Sequence, residues 1–145
     1  MAAPSNKEIY IALMTRLTAE VTGYPMSRPG GVAYDAGGNR VTGKFTPPDS
    51  GLWLEVEFQP NSDIDNTLGA DDEVVPRGMM TVLAMGRPGA GGIIPVVDLA
   101  YAVVAAFPKC YQLVDLVRVS RKPYTILMPE EDDRLGVMVT VEYSG

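Results

Sequence analysis

The chain has 145 residues and a formal net charge of -6, from 12 Lys and Arg against 18 Asp and Glu, which is the length of one domain with a real core and little room for a second module. The acidic balance removes the electrostatic footprint that neutralises nucleic-acid phosphate and argues against tight DNA binding. With no histidine and one cysteine, Ser-His, Cys-His and His-ligated metal mechanisms are excluded, as are an intramolecular disulfide and any CxxC site.

Met1 to Lys7 is polar and lacks the apolar core of a secretion signal, so synthesis in the cytoplasm is expected. Ser5 and Glu8 have capping-box spacing, and Tyr10, Leu13, Met14, Leu17 and Val21 follow at three- and four-residue steps. This pattern predicts an amphipathic helix ending near Gly23. Gly23 to Gly51 then holds seven Gly and four Pro in 29 residues, a density that predicts a long irregular arm. So long a loop is uncommon unless it is functional or disordered, which makes the arm a candidate contact with another chain. A mobile surface loop is the plain alternative.

Leu52, Leu54, Val56 and Phe58 alternate with Trp53, Glu55 and Glu57, the period of a strand with one buried face. Trp53 falls on the polar side, where a tryptophan among glutamates reads as an interface anchor or as a residue covered by the arm. Gln59 to Glu73 is polar and acidic and reads as a loop. Met79 to Met85 is a second strand, apolar on both faces. GRPGAGG, from Gly86 to Gly92, reads as a flexible connection into a second helix over Val96 to Phe107, with Pro95 before it and Pro108 after it. The apolar run from Ile93 to Phe107 is too short and too interrupted for a bilayer span. Because it is apolar nearly all round, one face is left for this chain or a neighbour to cover. The lone Cys110 reads as a buried structural thiol. Tyr111 to Val119, Tyr124 to Met128 and Leu135 to Tyr143 are extended segments separated by turns. The whole predicts an α+β fold: a mostly antiparallel sheet with two helices, and a long irregular arm.

None of the sites that composition leaves open passes its spacing test. GRPGAGG lacks both the P-loop lysine and the dinucleotide-binding glycine spacing. If Asp63 opened a calcium loop, Leu68 would stand where glycine is required and Val74 where glutamate is required, so an EF-hand is excluded. Glu130 to Asp133 reads as a polar turn. No catalytic residues, cofactor or metal site are assigned, and an enzyme is not the expected reading.

The order of elements carries a resemblance. FTPPDSGLWLEVEFQP from Phe45 to Pro60 is followed by RGMMTVLAMGRPGAGG from Arg77 to Gly92, and then by an Ala-rich helix closing with AAFP at Ala105 to Pro108. This resembles the tail terminator-like family of long-tailed bacteriophages, in which a P-P-x-x-x-x-W/Y-L-x-V strand precedes an RG-led strand and a Gly-containing turn into an Ala-rich helix. The likeness runs from Phe45 to about Tyr143, and its specificity lies in order and spacing. The stretch from Tyr34 to Phe45, including AGGNRVTG, is longer than the family's connection into F-x-P-P.

The resemblance implies a structural virion protein of the phage neck, assembled in the bacterial host cytoplasm. It would form a hexameric ring on the head-proximal end of the tail tube, stop tube polymerisation and meet the head-side connector or stopper protein. DNA would pass through without specific binding, and no membrane would be involved. Ring closure needs a heterologous contact. The expected subunit-interface residues are Phe45, Pro47, Pro48 and Trp53, then Tyr101 and Val104 on the outward face of the second helix. Asp63, Asp65, Asp71, Asp72, Glu130 and Glu131 are the expected acidic lining of a channel that repels phosphate. The competing expectations are another head-tail connector, an adaptor or stopper, and a small monomeric ligand-binding domain or enzyme.

Overall fold

The computed structural model describes residues 4–61, 64–65, 74–89 and 92–145. Helix α1 (Asn6–Glu20) starts where the Ser5 hydroxyl accepts a hydrogen bond from the Glu8 N–H at 3.2 Å. That bond satisfies one of the donors a helix start leaves without a partner. Ile9, Leu13 and Leu17, stacked one turn apart, have no exposed surface.

The arm is largely ordered into strands. β1 (Met26–Arg28) and β2 (Val32–Tyr34) form a hairpin, and β3 (Arg40–Val41) pairs with β2. Gly30 and Gly31 at φ +89° and +79° supply the turn, since left-handed backbone is cheap only for glycine. The Asp35 carboxylate accepts from the Gly37 and Asn39 N–H groups and holds the next turn. The expected irregular arm is thus corrected: its glycines punctuate short strands, and the long AGGNRVTG stretch belongs to the β2–β3 connection and β3.

Three long strands carry the sheet: β4 (Trp53–Pro60), β7 (Arg77–Gly86) and β11 (Leu135–Ser144). Between β4 and β7, β5 (Ile64–Asp65), inside the segment expected to be a loop, pairs as a small ladder with β6 (Val74–Val75), just past that segment. Tyr111 to Val119 contains two strands, β8 (Gln112–Val114) and β9 (Val117–Val119), reversed at Asp115 with φ +41°. β10 (Tyr124–Leu127) pairs with β11. The order is β3-β2-β1-β4-β7-β11-β9-β8, with β10 beside β11 off that path. Every pairing in this sheet is antiparallel except β1 with β4.

Register separates two faces. Leu54, Val56, Met80, Val82, Ala84, Val137, Val139 and Val141 form one core with Ile9, Leu13 and Leu17 of α1. The same core includes Val96, Leu99 and Val103 of α2 (Ile94–Ala106). Both helices therefore cover one face of the sheet. Arg16 of α1 donates from Nε to the Ala106 carbonyl at 2.8 Å, satisfying an acceptor at the end of α2, and its guanidinium lies 4.4 Å from the Tyr111 ring centre. On the opposite face Met79, Leu83, Met85 and Met138 are half-buried. The architecture is the expected α+β arrangement of a mostly antiparallel sheet and two helices. Among the described residues, no helix is long and apolar enough to cross a membrane.

Two local expectations change. Gly86 is not part of a flexible connection: a Cβ there would meet Val96 Cγ2 at 2.8 Å and Leu52 Cδ2 at 2.9 Å, so the residue lets β7 and α2 approach closely. Cys110 is exposed, at φ +70°, because it occupies the bend between α2 and β8 rather than an element with a buried side.

Candidate assembly surfaces

The apolar sequence of α2 sends Val96, Leu99, Ala100, Val103 and Ala106 into the core. At 3.6 residues per turn the opposite side carries Ile94, Asp98, Tyr101 and Ala105, with Val97 and Val104 at its margin. Ile94 is 65% exposed and Tyr101 59%, while Val104 is half-buried. Asp98 is the only charge of the helix. The outward face is thus a narrow apolar stripe with one aromatic side chain, Tyr101, more than half exposed.

The second expected surface takes a different form. Trp53 has no exposed area, so it is corrected from an anchor offered to a neighbour to a core residue of this chain. Its Nε1 donates to Glu55 Oε2 at 2.9 Å, and the guanidinium of Arg87 lies 5.1 Å from its ring centre. Arg87 Nε also donates to the Pro48 carbonyl at 3.2 Å. Phe45, Pro47 and Pro48 are half-buried where the chain returns to β4. One signal in the sequence does point to this burial: Trp53 and Glu55 alternate onto one strand face, where an indole N–H can reach a carboxylate. The cover supplied by Arg87 comes from a residue 34 positions away and has no local signature.

Among the described residues, the acidic positions are not brought together as one cluster. Asp63, Asp71 and Asp72 lie outside the described residues, and Asp65 pairs with Val74 in the β5–β6 ladder. Glu130 and Glu131 are exposed in the turn between β10 and β11, where Glu131 and Arg134 form a backbone bridge. This turn adjoins Leu135, which pairs with Gly86, whereas Asp65 follows the Pro60 end of β4, which pairs with Gly78. The described Asp65 and the Glu130–Glu131 turn are therefore reached from opposite ends of the long ladder, about 30 Å apart along the strands at about 3.4 Å per residue.

The sequence reading missed β10 as a surface. Ile126 and Leu127 of β10 and Met128 just after it are 46%, 66% and 37% exposed, and among the described residues the strand pairs only with β11. The available signal was an apolar run with no charge between Tyr124 and Met128, but it also fits an interior strand.

No protein-family model and no curated protein matches this chain. A solved structure 22% identical in sequence matches 98% of this chain and 96% of its own, with a TM-score of 0.70. That likeness covers the whole architecture described above and speaks for the fold alone.

Proposed function

From a chain of this fold, with an apolar helix stripe left uncovered, we propose a structural protein of the long-tailed phage virion, similar to the tail terminators. It closes into a ring on the head-proximal end of the tail tube, stops the tube's polymerisation and presents a surface to the head-side connector. The sequence resemblance from Phe45 to about Tyr143 suggests the role. The observation that carries it is the outward face of α2, where Ile94 and Tyr101 stand 65% and 59% exposed on a helix with a single charge. Such a stripe gains stability when a neighbouring copy covers it, at roughly 25 cal/mol per Å² of apolar surface removed from water.

A ring requires a different patch on the next subunit. The β1–β3 end of the sheet fits that part, because β3 is an outermost strand and presents an edge. Phe45, Pro47 and Pro48 lie on the return from it. In this reading DNA passes through the ring without specific contacts, and exposed carboxylates such as Glu130 and Glu131 repel its phosphates where they face the channel.

The test adds purified protein to polymerising tail tube protein and follows tube length by electron microscopy, with the mass of the free protein measured by light scattering. The expected results are short tubes capped at one end, and loss of capping for Tyr101→Glu with the fold intact. Tubes that lengthen unchecked at saturating protein refute the reading and favour an adaptor, a stopper or a monomeric ligand-binding protein.

A further inference from the structure

The sheet has three strand edges with no partner among the described residues, and they are not alike. β3 is two residues long and carries Arg40, and the β8–β9 ladder is irregular between Gln112 and Val114. Short length, a charge and a bulge are the features by which natural edges avoid pairing with other chains. β10, four residues long, carries neither a charge nor a bulge: Tyr124, Thr125, Ile126, Leu127 and Met128 are uncharged, and the last four are exposed.

The ends of this edge differ in charge. Arg121 and Lys122 precede it and Glu130, Glu131, Asp132 and Asp133 follow it, all exposed. Pro123 and Pro129, which have no N–H to donate, bound the strand on either side. Main-chain direction completes the pattern. The Met128 N–H donates to the Gly136 carbonyl at 2.9 Å, so by the alternation of an antiparallel ladder the even-numbered residues bond to β11. Thr125 and Leu127 turn their N–H and C=O groups to the open edge.

We infer that β10 is a self-pairing edge, which joins two copies of this chain antiparallel about a two-fold axis at Ile126. In that register Thr125 of each copy meets Leu127 of the other, and these are the residues with free main-chain groups. Lys122 meets Glu130, Arg121 meets Glu131, and Pro123 meets Pro129 where the ladder stops. Shifted two residues so that Thr125 faces Thr125, Lys122 meets Met128 and the match of opposite charges is lost; shifted the other way, about Leu127, Lys122 meets Asp132 and Arg121 meets Asp133, but Thr125 then faces Pro129, which has no N–H to donate. The Ile126 side chains meet in a non-hydrogen-bonded pair, where opposed side chains lie closest. The contact is isologous and closes on itself, so it stands apart from the ring proposed above and does not depend on tube capping.

The decisive experiment uses two charge-reversed proteins, Arg121→Glu with Lys122→Glu, and Glu130→Lys with Glu131→Lys. By light scattering across a concentration series, each variant alone is expected to lose the twofold mass that the unaltered chain reaches. An equimolar mixture regains it, because every reversed end then faces an opposite charge. Circular dichroism confirms that both variants are folded. A second measurement places a thiol on the axis: Ile126→Cys in a Cys110→Ser background is expected to give a disulfide-linked dimer under mild oxidation. The exposed control Leu116→Cys, in the same background, gives none. Reversed variants with the mass of the unaltered chain, a mixture that does not recover, or cross-linking of the Ile126→Cys protein no greater than that of the control each overturn the proposal.

Discussion

The guanidinium of Arg87 lies 5.1 Å from the ring centre of Trp53. From that position its Nε holds the Pro48 carbonyl at 3.2 Å. One side chain just past the end of β7 therefore closes the cover over a buried indole and fastens the chain that returns from the β1–β3 end. The contact joins two segments that the sequence resemblance sets in order but does not bring together, the F-T-P-P stretch and the strand that begins with Trp53.

Arg87→Ala removes both interactions at once. The expected loss is about 1–2 kcal/mol, from a cation–π contact and a hydrogen bond to a charged donor, with secondary structure unchanged. Because Trp53 is the only tryptophan, its fluorescence reports the opening directly: emission shifts to longer wavelength and acrylamide quenching rises. Trp53→Ala should instead cost about 3–5 kcal/mol through the cavity it leaves, read as an earlier urea midpoint. An assembly defect without loss of monomer stability would contradict the buried placement of Trp53.

Much of the fold was legible because its signals are local. The cap at Ser5, the apolar steps of α1, the alternation in β4 and β11, and Pro95 at the start of α2 are each readable within one or two turns or strand periods. The strands of the arm were not, because a Gly-Pro density that suggests disorder is also what a series of tight hairpins needs. Gly30-Gly31 and Asp35-Asn39 are turn chemistry between strands too short to show a period. The candidate surfaces divide the same way. The helical period exposes Tyr101, whereas the cover of Trp53 by Arg87 comes from 34 positions away and has no local signature, and the openness of β10 depends on sheet order, which its apolar run does not reveal.

Gly78 is the tightest close approach in the sheet. A Cβ built there would meet the Tyr143 hydroxyl at 2.5 Å, the Gln59 carbonyl oxygen at 2.8 Å and Pro60 Cα at 2.8 Å. Tyr143 is 1% exposed, and its ring stacks on Phe58 at 6.0 Å, so it has little room to retreat. Gly78→Ala is expected to destabilise by about 1–3 kcal/mol, the range for overpacking a filled site. Chemical denaturation would show this as a lower midpoint with unchanged slope. Gly136→Ala meets Met85 Sδ at 2.8 Å, and because a flexible thioether can move aside it should cost less. The order of the two variants tests whether rigid or flexible neighbours set the penalty.

Alkaline stability has a named contributor in Tyr10. Burial pushes its phenol above the ordinary value of 10.0; the Arg28 charge pulls it back down and Tyr34 raises it further. Its ring packs 5.4 Å from Phe58. A raised acid holds its proton more tightly when folded than when unfolded. The contribution is thus fully present below pH 10 and is lost as pH rises through the folded value, where keeping the anion in its half-buried place becomes unfavourable. Tyr10→Phe should lose less stability than the unaltered chain between about pH 8 and about pH 11, measured as urea midpoints. Parallel curves for the two proteins would remove Tyr10 from the account.

Deleting Val32 to Lys44 separates the fold from the assembly proposed for it. The deletion removes β2 and β3, which lie at the end of the sheet, and loses one buried core residue of that end, Ala33. β1 keeps its parallel pairing with β4 through Met26 and Ser27. Phe45 to Leu52 then bridges from the Gly31 end of β1 back to Trp53, about 15 Å at about 3.3 Å per residue, well within the reach of that segment. The shortened chain should therefore fold, with near-native circular dichroism and a buried Trp53, while its ring mass and tube capping fall together. If capping persists at full strength, the β1–β3 end is not the patch that meets α2 of the neighbour, and ring closure must use another surface of the sheet.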